Sequence, residues 1–248
     1  MAPVDREQAR GQRYLTGSPA RRFDRVQALK VFREYLRGLR AVHALHPSVT
    51  VFGSGHLVEG HPDYDLARET GARLAAAGFT VMTGGGPGLM EAANRGAREA
   101  GGVSVACAIS LPVAEPPNPY VDQVVKFDHF FVRKEILIKS SYGFVAFPGG
   151  LGTFDEVFEA ATLIHTGKIR GFPIVLLGRD FWDPLVSFLT TQTHDGAMAD
   201  CTTSHFQLAD SPTDAVDHIR DVAMKRFGLS YATDRRRRPP GRPRSTQP

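Results

Sequence analysis

Short apolar runs alternate with longer stretches whose apolar positions recur at three- and four-residue steps, from about Val49 to Phe227. The runs predict strands at Val49–Phe52, Phe79–Thr83, Val103–Ile109, Gln123–Phe127, from Phe144 into Phe147, at Ile174–Leu177 and, as a last edge strand, Ser204–Leu208. The stretches between them predict helices over Tyr64–Ala77, Leu89–Ala100, Phe130–Ser140, from the Thr153 region through Ile164, over Phe181–Thr190 and over Pro212–Arg226. Gly78 suits a C-terminal cap, and Ser211 followed by Pro212 suits a helix start. Upstream, Val26, Leu29, Phe32, Leu36 and Leu39 form one side of an amphipathic helix whose other side carries Lys30, Arg33 and Arg37. That helix is expected to pack on the sheet, weakened by Gly38. Strands alternating with helices define a single doubly wound, Rossmann-like parallel sheet of the α/β class, with helices on both faces. The segment Leu111–Tyr120 holds four prolines and no periodicity, and reads as a loop.

Two of the strand-to-helix junctions are glycine loops. One is Gly84-Gly85-Gly86-Pro87-Gly88, and the other is Pro148-Gly149-Gly150-Leu151-Gly152-Thr153. A strand that feeds a helix through glycines leaves unpaired N–H groups at the positive end of the helix dipole, where a phosphate is favoured. Thr153 adds a hydroxyl donor, and Glu156 follows within one turn. The plainer alternative is a tight turn in which Thr153 caps the helix and Glu156 closes a capping box. Two such junctions in one chain favour an anion site at the carboxyl edge of the sheet. Neither loop has the Gly-Lys-Ser/Thr of a P-loop or the G-x-G-x-x-G spacing of a dinucleotide site, so a nucleoside monophosphate fits best. Gly53-Ser54-Gly55 after the first strand is a third, weaker contact, and Glu115 in the proline-rich loop is placed to line the pocket. Glu91, in the first turn after the Gly84–Gly88 loop, is either a solvated charge or a ligand contact. Arg133 and Lys134 open the helix over Phe130–Ser140, where cations oppose the dipole and call for a carboxylate or phosphate partner.

The ordered set Gly84-Gly85-Gly86-Pro87-Gly88-Leu89-Met90-Glu91-Ala92, Phe131-Val132-Arg133-Lys134 and Pro148-Gly149-Gly150-Leu151-Gly152-Thr153-Phe154-Asp155-Glu156 resembles the Lonely Guy family. Its members are phosphoribohydrolases that release cytokinin bases from riboside 5′-monophosphates, and the family was long labelled "possible lysine decarboxylase". The likeness runs from about Val49 to Phe227, and its wording, with Asn118-Pro119-Tyr120, is closer to the longer bacterial branch. The resemblance implies a catalytic Arg133 and Glu156. It implies substrate contacts from Gly53, Ser54, Gly84, Gly85, Gly86, Gly88, Met90, Glu91, Lys134, Gly149, Gly150, Gly152 and Thr153. It also implies adenine or an N6-substituted adenine as the base, a homodimer or higher assembly, and no cofactor or metal.

Composition changes the picture at the ends of the chain. The formal charge of +4 divides into +5 from Asp234 to Pro248, with six arginines and one aspartate, and −1 for everything before it. The sequence therefore reads as a mobile arm over 1–22, a near-neutral domain over 23–230 and a disordered basic tail over 231–248. The tail alone offers a surface for nucleic acid or anionic lipid, and a solvated tail is the expectation. Cys107 and Cys201 are far apart, without metal-ligand spacing, which suits two free thiols in a reducing cytoplasm. With no signal core and no membrane-length apolar run, a cytoplasmic protein is expected.

One placed carboxylate and one arginine suit N-glycoside hydrolysis, with Glu156 stabilising a ribosyl cation and accepting a proton from water. Arg133 is expected to orient Glu156 and hold its pKa down. A decarboxylase using pyridoxal phosphate needs a Schiff-base lysine, and no Ser-x-His-Lys pattern occurs. The rival from another class is a non-catalytic carrier of a nucleotide or pterin cofactor on the same fold. Only a hydrolase needs Arg133 and Glu156 kept together.

Overall fold

The computed structural model describes residues 21–43, 45, 47–111, 116–194, 196 and 203–227. The arm expected over 1–22 lies outside this range except where the first helix begins at Arg21, and the tail over 231–248, Glu115 and Cys201 lie outside it altogether. The elements in chain order are α1 (Arg21–His43), β1 (Ser48–Phe52), α2 (Pro62–Ala76), β2 (Thr80–Thr83), α3 (Leu89–Glu99), β3 (Ser104–Ile109) and β4 (Gln123–Phe127), then α4 (Phe130–Ser140), β5 (Ser141–Ala146), α5 (Leu151–His165), β6 (Ile174–Leu177), α6 (Arg179–His194), β7 (Phe206–Ala209) and α7 (Pro212–Phe227). All seven strands pair in parallel in one sheet, in the order β4-β3-β2-β1-β5-β6-β7. The winding direction reverses between β1 and β5, and that reversal opens a crevice at their carboxyl ends.

Alternate residues of the strands feed two cores. Val49, Val51, Val81, Val145 and Val175 face Leu74, Leu89, Ala93 and Ile219 of α2, α3 and α7. Phe52, Met82, Phe144, Ala146 and Leu176 face Ile136, Leu137, Val157, Ala160 and Trp182 of α4, α5 and α6, with α1 at the rim. β1, β2 and β6 are buried along their whole length, which is why they read as continuous runs rather than alternating ones, whereas the edge strands β4 and β7 are partly exposed. Trp182 is fully buried and its Nε1 donates to Ala146 O at 3.1 Å, a packing role. Ser211 caps α7, its hydroxyl accepting the Asp214 N–H at 3.1 Å. Among the described residues no helix is long and apolar enough to cross a membrane.

Three local expectations are revised. β5 begins directly at the end of α4, at Ser141, earlier than the apolar run suggests, and α6 extends to Arg179–His194 with Pro184 inside it. The larger correction concerns α1. Val26, Leu29 and Phe32 are 50%, 56% and 57% exposed, so the amino-terminal part of the side expected to pack is turned outward. Val31, Tyr35 and Val42 pack against the core, joined by Leu39 from the expected side. Gly38 sets this rotation, because a Cβ there would lie 2.9 Å from Phe127 and 3.0 Å from Ile136. The helix lies close to its neighbours where it has no side chain, and its other faces follow.

Candidate active site

Three loops meet at the crevice. Ser54 N–H donates to Pro148 O at 2.9 Å, and Leu89 N–H donates to Ser54 O at 2.9 Å. The loop after β1 is thus hydrogen-bonded to the loops after β5 and β2. Gly53 sits so close to Leu89 that a Cβ would come within 2.8 Å of it. Gly85 and Gly88 take φ of +80° and +69°, a region side chains disfavour.

The capping box does not form. α5 starts at Gly150 with no side-chain cap, and α3 starts at Gly88 likewise. The first turn of α5 is open, with Leu151 89% exposed. A Cβ built on Gly150 or Gly152 meets nothing within 4 Å among the described residues, and neither glycine has positive φ. The fold itself does not demand glycine at these two positions, so their bareness leaves room for an incoming group. Thr153 is 6% exposed beside Gly149 and borders the same space.

Glu156, one turn along α5, is 2% exposed. Arg133 Nη1 donates to its Oε1 at 3.4 Å, and Oε2 is buried with no hydrogen-bond partner among the described residues. Arg133 Nε donates to Cys107 O at 2.8 Å, which fixes the guanidinium between β3 and α5. Another guanidinium nitrogen, Nη2, and the Met90 sulfur lie against Gly84, 3.0 and 3.1 Å from where a Cβ would be. Arg133 therefore links Glu156 to the Gly84–Gly88 loop, beside Met90. The expected depression of the Glu156 pKa does not hold. Burial pushes it up, the pull of Arg133 is weaker, Glu159 adds to the push, and the carboxyl sits at about 7. The same burial raises the Cys107 thiol to about 12, an inert group.

Lys134 pairs with two carboxylates of α5, its Nζ 2.9 Å from Glu159 and 3.1 Å from Asp155. Burial lowers its pKa, but bonds to those two carboxylates outweigh it and the net shift is upward. Glu91 is half-buried and accepts from the Tyr64 hydroxyl at 3.4 Å.

Sequence reasoning missed the frame behind the Gly84–Gly88 loop. Asn94 is fully buried. Its Oδ1 accepts from Thr83 Oγ1 at 2.7 Å and Asn118 Nδ2 at 3.0 Å, and its Nδ2 donates to Ser104 Oγ at 2.7 Å. Thr83 Oγ1 takes the Gly85 N–H at 2.9 Å, and Asn118 reaches the carbonyls of Gly85 and Gly86 through its backbone N–H and Nδ2. A lone asparagine on the alanine-rich side of α3 was the available signal. Among the described residues no group of three or more His, Cys, Asp or Glu side chains is arranged to hold a metal ion.

Fold and site define a doubly wound α/β protein with a glycine-lined crevice and a buried carboxylate at its switch point. The family model described as "possible lysine decarboxylase" matches residues 90–219, and the chain belongs to this family, the one its three motifs resemble. The chain is 32% identical over 157 residues to the cytokinin riboside 5′-monophosphate phosphoribohydrolase of Mycobacterium tuberculosis, covering 61% of this chain and 82% of that protein. It is 30% identical over 155 residues to the pyrimidine/purine nucleotide 5′-monophosphate nucleosidase of Escherichia coli, covering 58% of this chain but only 34% of the relative's length. Among solved structures, the molybdenum cofactor binding protein of Rippkaea orientalis superposes with a TM-score of 0.54 at 26% identity, over 72% of this chain and 98% of that one.

Proposed function

We propose that this protein hydrolyses the N-glycosidic bond of a purine riboside 5′-monophosphate, of adenine or cytokinin type, to free base and ribose 5-phosphate. The observation that carries the reading is Glu156: buried, held on one oxygen by Arg133, unpartnered on the other, and one turn from the open start of α5. The 5′-phosphate docks on the N–H groups of Gly150 and Gly152 and on the Thr153 hydroxyl, with Gly85 and Gly86 closing from β2. That anchor fixes C1′ of the ribose relative to Glu156 and converts remote binding into orientation.

As the C1′–N bond breaks, its electron pair leaves with the base and positive charge develops on the sugar, where the Glu156 carboxylate stabilises it. Water then attacks C1′ while Glu156 accepts its proton, and the departing base takes up a proton to balance. A base with a pKa near 7 is well matched to this task. Arg133 orients the carboxylate, and Met90 and Glu91 border the same crevice. We further propose a cytoplasmic homodimer or higher assembly, with Val26, Leu29 and Phe32 of α1 as its exposed apolar surface. Sedimentation showing a stable monomer at micromolar concentration overturns the assembly, and Phe32→Glu should weaken it.

The relatives named as hydrolases support the activity, whereas the likeness to a molybdenum cofactor binding protein favours a carrier. The two are separated by incubating AMP and N6-isopentenyl-AMP with wild type and Glu156→Gln and following the products by chromatography. Release of base and ribose 5-phosphate by wild type alone is expected. Intact nucleotides in both reactions, together with measurable nucleotide binding, would establish the carrier. Equal release in both would remove Glu156 from its role.

A further inference from the structure

We propose that Glu34 of α1 is a positioning residue for this reaction: it pins the amino end of α4 and, through it, the Arg133 guanidinium that addresses Glu156. The proposal rests on the phosphoribohydrolase reading for its kinetics but not for its geometry.

Glu34 is 4% exposed, and a carboxylate so placed needs hydrogen-bond partners. All its partners lie at one place far away in sequence. Oε1 accepts the backbone N–H groups of Asp128 at 2.8 Å and His129 at 3.1 Å, and Oε2 lies 2.6 Å from His129 Nδ1. The Gln27 side chain, two turns earlier on α1, reaches the other nitrogen of the same ring. A neutral imidazole with its proton on Nδ1 satisfies both neighbours at once.

His129 is the residue on which α4 begins, and it provides no side-chain cap of its own. The first turn of α4 has no acid, while Arg133 and Lys134 bring two cations close to the positive end of the dipole. Glu34 supplies the missing anion from a neighbouring helix. Asp128 is also near, but it is exposed and its charge is screened by solvent.

The connection to the site is short. Arg133 N–H donates to His129 O at 3.1 Å, so the residue held by Glu34 through its N–H and ring holds Arg133 through its carbonyl. From there the Arg133 side chain runs to Cys107 O and Glu156 Oε1. A misplacement of about 1 Å at a reacting group can cost about 100-fold in rate. The phosphate grip is on α5 and the β2 loop, so loss of Glu34 should leave it intact.

The test compares Glu34→Ala with Glu34→Gln. Gln keeps an acceptor for the two N–H groups and can donate to the other tautomer of His129, losing only the charge. Glu34→Ala is expected to lower kcat by about 10- to 100-fold with KM for the 5′-monophosphate changed by less than about 3-fold, and Gln to restore most of the rate. A readout independent of turnover is solvent exchange of the Arg133 Nε–H by NMR, slow in wild type and Gln and fast in Ala. Should Ala fail to fold, Glu34→Asp, which withdraws the carboxylate by one methylene, gives the same comparison. An Ala variant with lowered Tm but wild-type kcat and a slow Nε–H would overturn the proposal and leave Glu34 as a docking contact of α1. If wild type itself has no turnover, the hydrolase reading falls and the Nε–H exchange alone decides Glu34.

Discussion

A carboxyl group as buried as Glu156 gains little hydration when it ionises, and a single arginine contact at 3.4 Å does not make up for it. Its pKa of about 7, against an ordinary 4.5, has consequences of opposite sign for stability and for rate. The folded state favours the protonated form, so this group's contribution to stability is complete below about pH 4.5. It is lost progressively as pH rises through 7. Glu156→Gln, which mimics the protonated form, should therefore be more stable than wild type at pH 8, by up to about 3 kcal/mol, with the difference shrinking at pH 5. Turnover runs the other way: kcat should rise with pH through about 7 as the carboxylate forms. Thermal unfolding of both proteins at the two pH values checks the first claim, and equal differences at both would refute it. A pH–kcat profile flat from 5.5 to 8.5 would refute the second.

At the scale of elements, the glycine loops were legible because glycine and proline interrupt apolar runs so plainly, but the reasons for individual glycines were not. Gly85 is required by the fold: φ is +80°, and a Cβ would lie 2.6 Å from the Ala106 Cβ. Gly152 is required by nothing in the protein. Gly85→Ala should thus destabilise by about 2–4 kcal/mol through backbone strain and overpacking. Gly152→Ala should change stability by less than about 1 kcal/mol, and in the favourable direction, since alanine suits a helix better. Its effect should fall on affinity for the 5′-monophosphate, as should that of Thr153→Ala. Denaturant unfolding beside nucleotide titration separates the two classes, and a Gly152→Ala variant with unchanged affinity would place the phosphate elsewhere. Contacts between distant segments were not legible. The rotation of α1 was misjudged because Val26, Leu29 and Phe32 satisfy helical spacing as well as Val31, Tyr35 and Val42 do. Only Phe127 and Ile136, pressed against Gly38, break the tie. The Thr83–Asn94–Asn118–Ser104 frame likewise draws on four separate segments.

For the molecule as a whole, placing the site at the reversal between β1 and β5 gives a ligand contacts with both halves of the sheet. The loops it bridges follow β1, β2 and β5, and their backbones already bond to one another. A ligand gripping all three binds the folded state and not the unfolded chain, so it shifts the whole unfolding equilibrium. At a ligand concentration of 100 times Kd the shift is about 2.7 kcal/mol. For a domain of this size that corresponds to a rise in Tm of roughly 5–10 °C. The measurement is best made on Glu156→Gln, which should bind AMP without consuming it. AMP should raise Tm by this amount, inorganic phosphate at high concentration by part of it, and adenosine at the AMP concentration by little. The ordering follows from the open first turn of α5, which addresses the phosphate, while ribose and base alone find no comparable anchor. Equal shifts from adenosine and AMP would mean that the glycine loops are not the phosphate grip, and the assignment of Gly150, Gly152 and Thr153 would fall with them.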